Sequence, residues 1–268
     1  MAFSLHLLKK CRPEVDMQMH YHKGTDVGRV RKHNEDTVDV IQLHNHALLA
    51  VVCDGMGGHR AGDVASRLAV EELKALLQKE TLPEELDLCT EVLKQAVYSV
   101  NERLNEYQRT HPECAGMGTT MTAVVVTDSG ISSVNVGDSR LYEWTPEALV
   151  QLTNDQSLVG ELLRRGEISE VEAAHHPRKN VLLQALGTES SVNVDAASFP
   201  GKTGGLLLLC SDGLTNKLSD SDLHEIIGQK HLPLSERINM CIDEANNRGG
   251  EDNITLILID DTDGGNSS

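Results

Sequence analysis

Residues 119–136 read TTMTAVVVTDSGISSVNV. An apolar run at 123–126 is followed by Asp128-Ser129-Gly130, and apolar residues return at Ile131, Val134 and Val136. Asp, Ser and Gly in succession are turn chemistry. Strands joined by so short a turn pair antiparallel, because a parallel return needs a crossover of about a dozen residues or more. Upstream, Thr37 to Leu43 alternates as a strand does, and Ala47 to Cys53 (ALLAVVC) is a short apolar run. That run stops at Asp54-Gly55 and reads as a buried strand ending in a tight turn. Between it and the 119–136 stretch, apolar residues at 65, 68, 69, 73, 76 and 77 mark one face of a helix over 61–78. A second helix is expected over about 84–108, separated from the first by Thr81-Leu82-Pro83.

Downstream, short strands are expected near 140–144 and 148–152, a short helix at 157–165, and strands at 192–199 and 205–210. Helices follow at 219–228 and 234–247, and a last strand at 253–259. Strict strand–helix–strand alternation is absent, which argues against a doubly wound parallel sheet. Antiparallel sheets covered by helix pairs, an α+β arrangement, fit better. Residues 1–20 read as a loose arm, 21–260 as one domain and 261–268 as a polar, disordered tail.

Composition removes several function classes. Lys plus Arg is 24 against 41 Asp plus Glu, a net charge of −17, which repels phosphate backbones and anionic lipids. Only seven aromatic residues are available, too few for a base-stacking platform. No apolar run approaches 18 residues, the least that would span a membrane. Six cysteines include no CxxC pair, and Cys53 and Cys210 end apolar runs as buried thiols would. The Lys pair near the start follows the apolar patch, the wrong order for a secretory signal. The expectation is a cytoplasmic monomer with reduced thiols, with no nucleic-acid or membrane partner.

Five acidic residues then stand out. Asp54-Gly55, Asp138 in Gly137-Asp138-Ser139 and Asp212 in Ser211-Asp212-Gly213 each follow an apolar strand. Asp252, in Glu251-Asp252-Asn253, and Asp36, after Asn34-Glu35, each precede one. Any one Asp-Gly pair is ordinary turn chemistry. Gathered at one rim of a sheet, five carboxylates would repel, and either protonation or cations must relieve them. An all-oxygen donor set favours Mg²⁺ or Mn²⁺ over zinc. Two such ions can activate a water and hold a phosphoryl oxygen. Arg31, five residues before Asp36, could bind two oxygens of a phosphate.

Competing motifs are weak. No cysteine has Arg six residues later, so the cysteine-nucleophile phosphatase loop is absent. Gly201-Lys202-Thr203 lacks the first glycine of a P-loop, since position 196 is alanine. His44 with His46, and His175 with His176, read as surface loop histidines, and the Asp260–Gly264 stretch lacks the closing Glu of a calcium loop.

The ordered motifs resemble the metal-dependent Ser/Thr protein phosphatases of type 2C, most of all the compact bacterial members. They are Arg31…Asn34-Glu35-Asp36, Asp54-Gly55-Met56-Gly57-Gly58-His59, Gly118-Thr119-Thr120, Val136-Gly137-Asp138-Ser139-Arg140, Ser211-Asp212-Gly213-Leu214 and Glu251-Asp252-Asn253-Ile254-Thr255. The resemblance implies an α/β/β/α sandwich, two antiparallel sheets flanked by helix pairs. It implies that Asp54 bridges two metal ions, that the Gly55 carbonyl ligates one, and that Asp212 and Asp252 hold the other. Asp36, with Glu35 beside it, would act through metal-bound waters, and Asp138 with Asp212 would form a weaker third site. Arg31 would bind the substrate phosphate, and Asn253 would support the metal–water network. The stretch of about 154–190 would be a flap that influences substrate choice. The implied activity is Mn²⁺- or Mg²⁺-dependent hydrolysis of phosphoserine and phosphothreonine on proteins, opposing a cognate Ser/Thr kinase in bacterial signalling.

Two positions depart from that pattern. Met56 stands where some members have a His that protonates the leaving oxygen, a task a thioether cannot perform. His59 as proton donor, His59 as a mere cap or orienter, and a metal-bound water all remain open. Gln184 stands where many bacterial members have an arginine before Ala185-Leu186-Gly187. A two-metal phosphoesterase for small molecules and a non-enzymatic module on the same fold are the alternative readings.

Overall fold

The computed structural model describes residues 19–44, 47–58, 61–201 and 204–261. The expected N-terminal arm lies outside them up to residue 18, as do 262–268 of the tail and both His46 and His59. Among the described residues eleven strands form two sheets: β1 (His20–Asp26), β2 (Asp36–Gln42), β3 (Leu48–Met56), β4 (Gly118–Thr119), β5 (Met121–Thr127), β6 (Gly130–Val136), β7 (Arg140–Trp144), β8 (Leu149–Gln151), β9 (Asp195–Pro200), β10 (Leu206–Cys210) and β11 (Ile254–Asp260). The five-stranded sheet runs β1-β11-β10-β7-β8 and the six-stranded sheet β2-β3-β5-β6-β9, with β4 pairing β3. Every pairing is antiparallel. The expected hairpin at 119–136 is the β5–β6 pair, Thr127 opposite Gly130.

The apolar runs are unbroken because these strands are covered on both faces. Successive side chains point to opposite faces. In β3, Leu48, Ala50 and Val52 therefore meet Val124, Leu207, Leu209, Ile257 and Ile259 in the layer between the sheets. Leu49, Val51 and Cys53 face the other way and pack against α1 (Ala61–Leu77) and α2 (Leu86–Thr110). On the far side Tyr142, Leu208, Cys210 and Leu256 pack against α6 (Asp220–Ile227) and α7 (Leu234–Asn247). The four layers are helices, sheet, sheet, helices, as the resemblance implied. The described residues also hold three short α-helices, α3 (Leu158–Arg164), α4 (Glu170–Ala174) and α5 (Asp212–Thr215), and a 3-10 turn at Pro112–Cys114.

Two sequence expectations are corrected. The apolar run at 47–53 does not end in a turn at Asp54-Gly55: β3 continues through both residues to Met56, with Gly55 opposite Thr119. Gly55 serves close packing, since a Cβ there would lie 2.2 Å from the Gly62 carbonyl oxygen of α1. Likewise Ser211-Asp212-Gly213 is not a simple turn, because Asp212 opens α5. There a Cβ on Gly213 would lie 1.9 Å from the Asn253 carbonyl oxygen, so only glycine lets the helical turn sit against the approach to β11.

Three connections pass from one sheet to the other near a common rim. Residues 27–35 link β1 to β2, residues 137–139 link β6 to β7, and the long stretch after β8 returns the chain to β9. These crossings and the strand ends beside them carry the acidic residues.

Candidate active site

Asp36 opens β2 directly opposite Asp54 in β3, so the strand register alone brings these two together. Asp212 enters from the other sheet, close enough to Asp54 to disfavour charge there. Asp138 comes from the β6–β7 crossing and Asp252 from the approach to β11; both lie near enough to disfavour charge on Asp54. The structure thus brings together all five acidic residues singled out in the sequence. They derive from both sheets, and none is adjacent in sequence to another.

Hydroxyls and amides fix their positions. Ser211 donates its hydroxyl to Asp36 Oδ2 at 2.8 Å. The Asp54 N–H donates to Thr120 Oγ1 at 2.9 Å, while Thr120 N–H and Thr119 Oγ1 both reach the Asp54 carbonyl. Asn216 Nδ2 donates to Asp212 Oδ2 at 2.9 Å, one helical turn on. Sequence reasoning assigned no role to Ser211, Thr120 or Ser139. The only signal was their place inside motifs whose acidic or glycine members drew attention first.

Asn253 holds the 27–35 crossing. Its Oδ1 accepts the Glu35 N–H, and its Nδ2 donates to the Val27 and His33 carbonyls. Its amide is therefore committed to the loop that presents Arg31 and Glu35. Arg31 meets the cluster from the solvent side, its Nη2 2.7 Å from Asp252 Oδ2 and its Nε 3.4 Å from the Glu251 carbonyl. Glu35, next to Asp36, is anchored through its carbonyl, which accepts from Gly55 N–H and Ser66 Oγ.

Burial makes charge expensive here. It pushes the Asp36 carboxyl up to about 7, helped by Asp212 and Asp252, while the hydroxyls of Thr255 and Ser211 pull the other way. Asp54 is held far above the ordinary carboxylate range by burial, then by Asp36, Asp212, Asp138 and Asp252. Burial, followed by Asp212 and Asp155, does the same to Asp138. Asp212 is raised by burial and Asp252, and burial also raises Glu35. The neighbouring Cys53 thiol is driven up by burial and by Asp36, so it is no nucleophile.

These residues fit divalent cations. Asp36 Oδ1 is buried with no hydrogen-bond partner, an oxygen that a cation or its water would satisfy. The donor set is all oxygen, the chemistry of Mg²⁺ and Mn²⁺. Among the described residues, no group of three or more His, Cys, Asp or Glu side chains could hold an ion alone. An ion held here would keep several waters, as Mg²⁺ habitually does.

His175 and His176 are bound locally. His175 Nδ1 lies 2.9 Å from the Val171 carbonyl and His176 Nδ1 accepts the Arg178 N–H. Gln184 accepts the Asn193 N–H, tying the end of the 154–190 stretch to the approach to β9. No helix among the described residues is long and apolar enough to cross a membrane.

Comparison with known proteins identifies the family. Residues 23–246 match the family model for protein phosphatase 2C. The serine/threonine phosphatase stp of Listeria monocytogenes serotype 4b is 45% identical over 90% of this chain and 96% of its own length. The S. agalactiae serine/threonine phosphatase structure superposes with a TM-score of 0.84 at 35% identity, over 90% of this chain and 98% of that one. The catalytic domain of the serine threonine protein phosphatase PstP, in complex with two manganese ions, superposes with a TM-score of 0.78 at 31% identity, over 91% of this chain and 99% of that one. The acidic rim, the two packed sheets and these likenesses lead to one assignment: the chain belongs to the protein phosphatase 2C family and is a serine/threonine protein phosphatase.

Proposed function

We propose that this phosphatase is metal-dependent and removes phosphate from phosphoserine and phosphothreonine on proteins, opposing a Ser/Thr kinase in bacterial signalling. The observation that carries the reading is the gathering of Asp36, Asp54, Asp138, Asp212 and Asp252 at one buried rim, with Asp36 Oδ1 unpartnered. Asp54, the Gly55 carbonyl, Asp212 and Asp252 would hold the ions, and Asp36 would act through waters the ions carry. Asp138 beside Asp212 offers a further, weaker position. When bound, such ions neutralise the carboxylates, lower the pKa of a water and orient the phosphate. The manganese pair described for PstP, a structural relative, supports this use of the site.

The chain's own residues supply the rest. Arg31 exchanges its Asp252 partner for phosphate oxygens, since a guanidinium presents paired donors to either. Asn253 keeps the Arg31 loop in register with the acidic rim. Met56 has no exchangeable proton to give the leaving alkoxide.

The test is phosphate release from a phosphothreonine peptide, with Mn²⁺ and with EDTA, for the parent and Asp212→Asn. Metal-dependent release, stronger than from a phosphotyrosine peptide and lost in the variant, is expected. Release from a small phosphate ester alone would replace the protein substrate with a small-molecule one.

A further inference from the structure

Helices α6 and α7 each bury one stripe against the five-stranded sheet and carry a second stripe beside it. The buried stripe is Leu223 and Ile227 on α6, and Ile238, Cys241 and Ala245 on α7. The second stripe follows the i, i+3, i+4, i+7 spacing of a single helix face. It takes in positions 222, 225, 226 and 229 on the α6 side and 240, 243, 244 and 247 on the α7 side. Between the two stripes runs an open groove of about 400 Å³. Its apolar lining is Ile226, which is half-buried, and Met240, which is 36% exposed. The sheet below does not cover these two side chains, and no other element lies over them.

Charge in the groove is one-sided. Asp222, Glu225, Asp243 and Glu244 line it, against a single guanidinium, that of Arg248. Arg248 forks onto Asp222, Nη1 to Oδ2 at 2.7 Å and Nη2 to Oδ1 at 3.0 Å, and its Nε donates to Glu244 Oε1 at 2.7 Å. It thereby joins the two helices at one end of the groove. Glu225 and Asp243, on opposite walls, are exposed and form no ion pair among the described residues. The end held by Arg248 abuts the active site. Arg248 Nη1 also donates to the Lys217 carbonyl, Lys217 is ion-paired with Glu251, and Arg31 Nε donates to the Glu251 carbonyl. A chain whose phosphate lies at Arg31 can therefore cross Lys217 and Arg248 and enter the groove without leaving the surface.

We propose that the α6–α7 groove docks a basic segment of the phosphoprotein substrate, an apolar side chain flanked by lysine or arginine, at a distance from the phosphorylated residue. Glu225 and Asp243 each take one cation, and the apolar side chain between them packs on Ile226 and Met240, whose unbranched thioether adapts to its shape. From Met240 to Arg248 the helix advances about 12 Å, the reach of about four extended residues. Surface ion pairs contribute little singly, so the affinity comes from the two pairs and the apolar contact together. The net charge of −17 disfavours a second copy of this chain as the occupant and favours a basic one. This inference rests on the phosphoprotein-substrate reading above.

The experiment uses phosphothreonine peptides that carry a Lys-Leu-Lys segment at stepped distances on either side of the phosphothreonine, with Glu-Leu-Glu controls. The variants are Glu225→Lys with Asp243→Lys, and Met240→Ser, all at exposed positions outside the catalytic machinery. Glu84→Lys with Glu102→Lys makes the same charge change on the α2 side of the molecule, again at exposed positions. At the best spacing the basic peptide should have a KM about tenfold below its control, with kcat within about twofold. That gain should vanish in the groove reversal, shrink in Met240→Ser, survive in the α2-side reversal and fade at high salt. Turnover of p-nitrophenyl phosphate should stay within about twofold in every variant. Equal KM for basic and control peptides at every spacing would overturn the docking site. So would a gain that the α2-side reversal also removes, which marks overall charge, or self-association in sedimentation that Met240→Ser abolishes, which gives the groove to a second copy. In parallel, the unphosphorylated basic peptide is titrated by fluorescence anisotropy in EDTA, where no hydrolysis enters. No binding there by a protein that hydrolyses phosphothreonine peptides would overturn the groove alone. Binding that the groove reversal abolishes, in a protein that releases no phosphate from phosphothreonine peptides with Mn²⁺, would overturn the functional reading and leave the groove's basic preference standing.

Discussion

Removing divalent cations should make this protein less stable as pH rises from about 4 to about 7. Asp36 has a pKa of about 7 in the fold against 3.8 for an ordinary aspartate. Below 3.8 the carboxyl is protonated folded or unfolded, and folding costs it nothing. Between 3.8 and about 7 the unfolded chain releases the proton while the folded one keeps it, so the folded state binds more protons and loses stability with each step upward. That interval corresponds to about 4 kcal/mol for Asp36 alone. In a domain of this size the loss should lower Tm by about 10 °C. Asp54 and Asp138, also held high, act in the same direction. The assay is thermal unfolding in EDTA at constant ionic strength, from about pH 4 to about pH 7. Tm should fall across that range, Asp36→Asn should flatten the fall, and Mn²⁺ at about a hundredfold its Kd should restore roughly 3 kcal/mol. A Tm in EDTA that holds level or rises would refute the reasoning, because the carboxyls would then be finding compensation without cations.

Two further outcomes follow from the same architecture. Asn253→Ala removes three hydrogen bonds to a part-buried loop and should cost about 3 kcal/mol in urea unfolding; an unchanged midpoint would mean that the loop holds itself. Cys53, Cys89, Cys114, Cys210 and Cys241 are all buried free thiols, and burial raises Cys241 to about 12. They should resist an aromatic disulfide reagent in the native state and react after unfolding, which absorbance at the released thiolate would show.

The layered core was legible because its strands are apolar on both faces and its long helices carry a continuous apolar stripe. The edge strand β1 was not. Its sequence HYHKGTD has five of seven residues exposed and gives no period-two signal, yet all seven pair with β11. Asp54-Gly55 was misread as a turn because glycine marks both a bend and a close approach, and only the position of Gly62 separates the two. The five acidic residues were visible individually, since each stands at the edge of an apolar run. What binds them was hidden. Ser211, Thr120 and Ser139 are short hydroxyl residues that act singly, with no periodicity to mark them. Arg140 and Asp155 belong to different elements, and nothing in either neighbourhood announces their ion pair.

The division of the acidic rim between two sheets also sets a timetable. A chain emerging from the ribosome contains Asp36 and Asp54 early, but the rim stays open until Asp212 and Asp252 have been synthesised and β11 has docked beside β1 and β10. The nascent protein is therefore silent toward phosphoproteins for most of its synthesis, and the rim closes only when the two sheets have met.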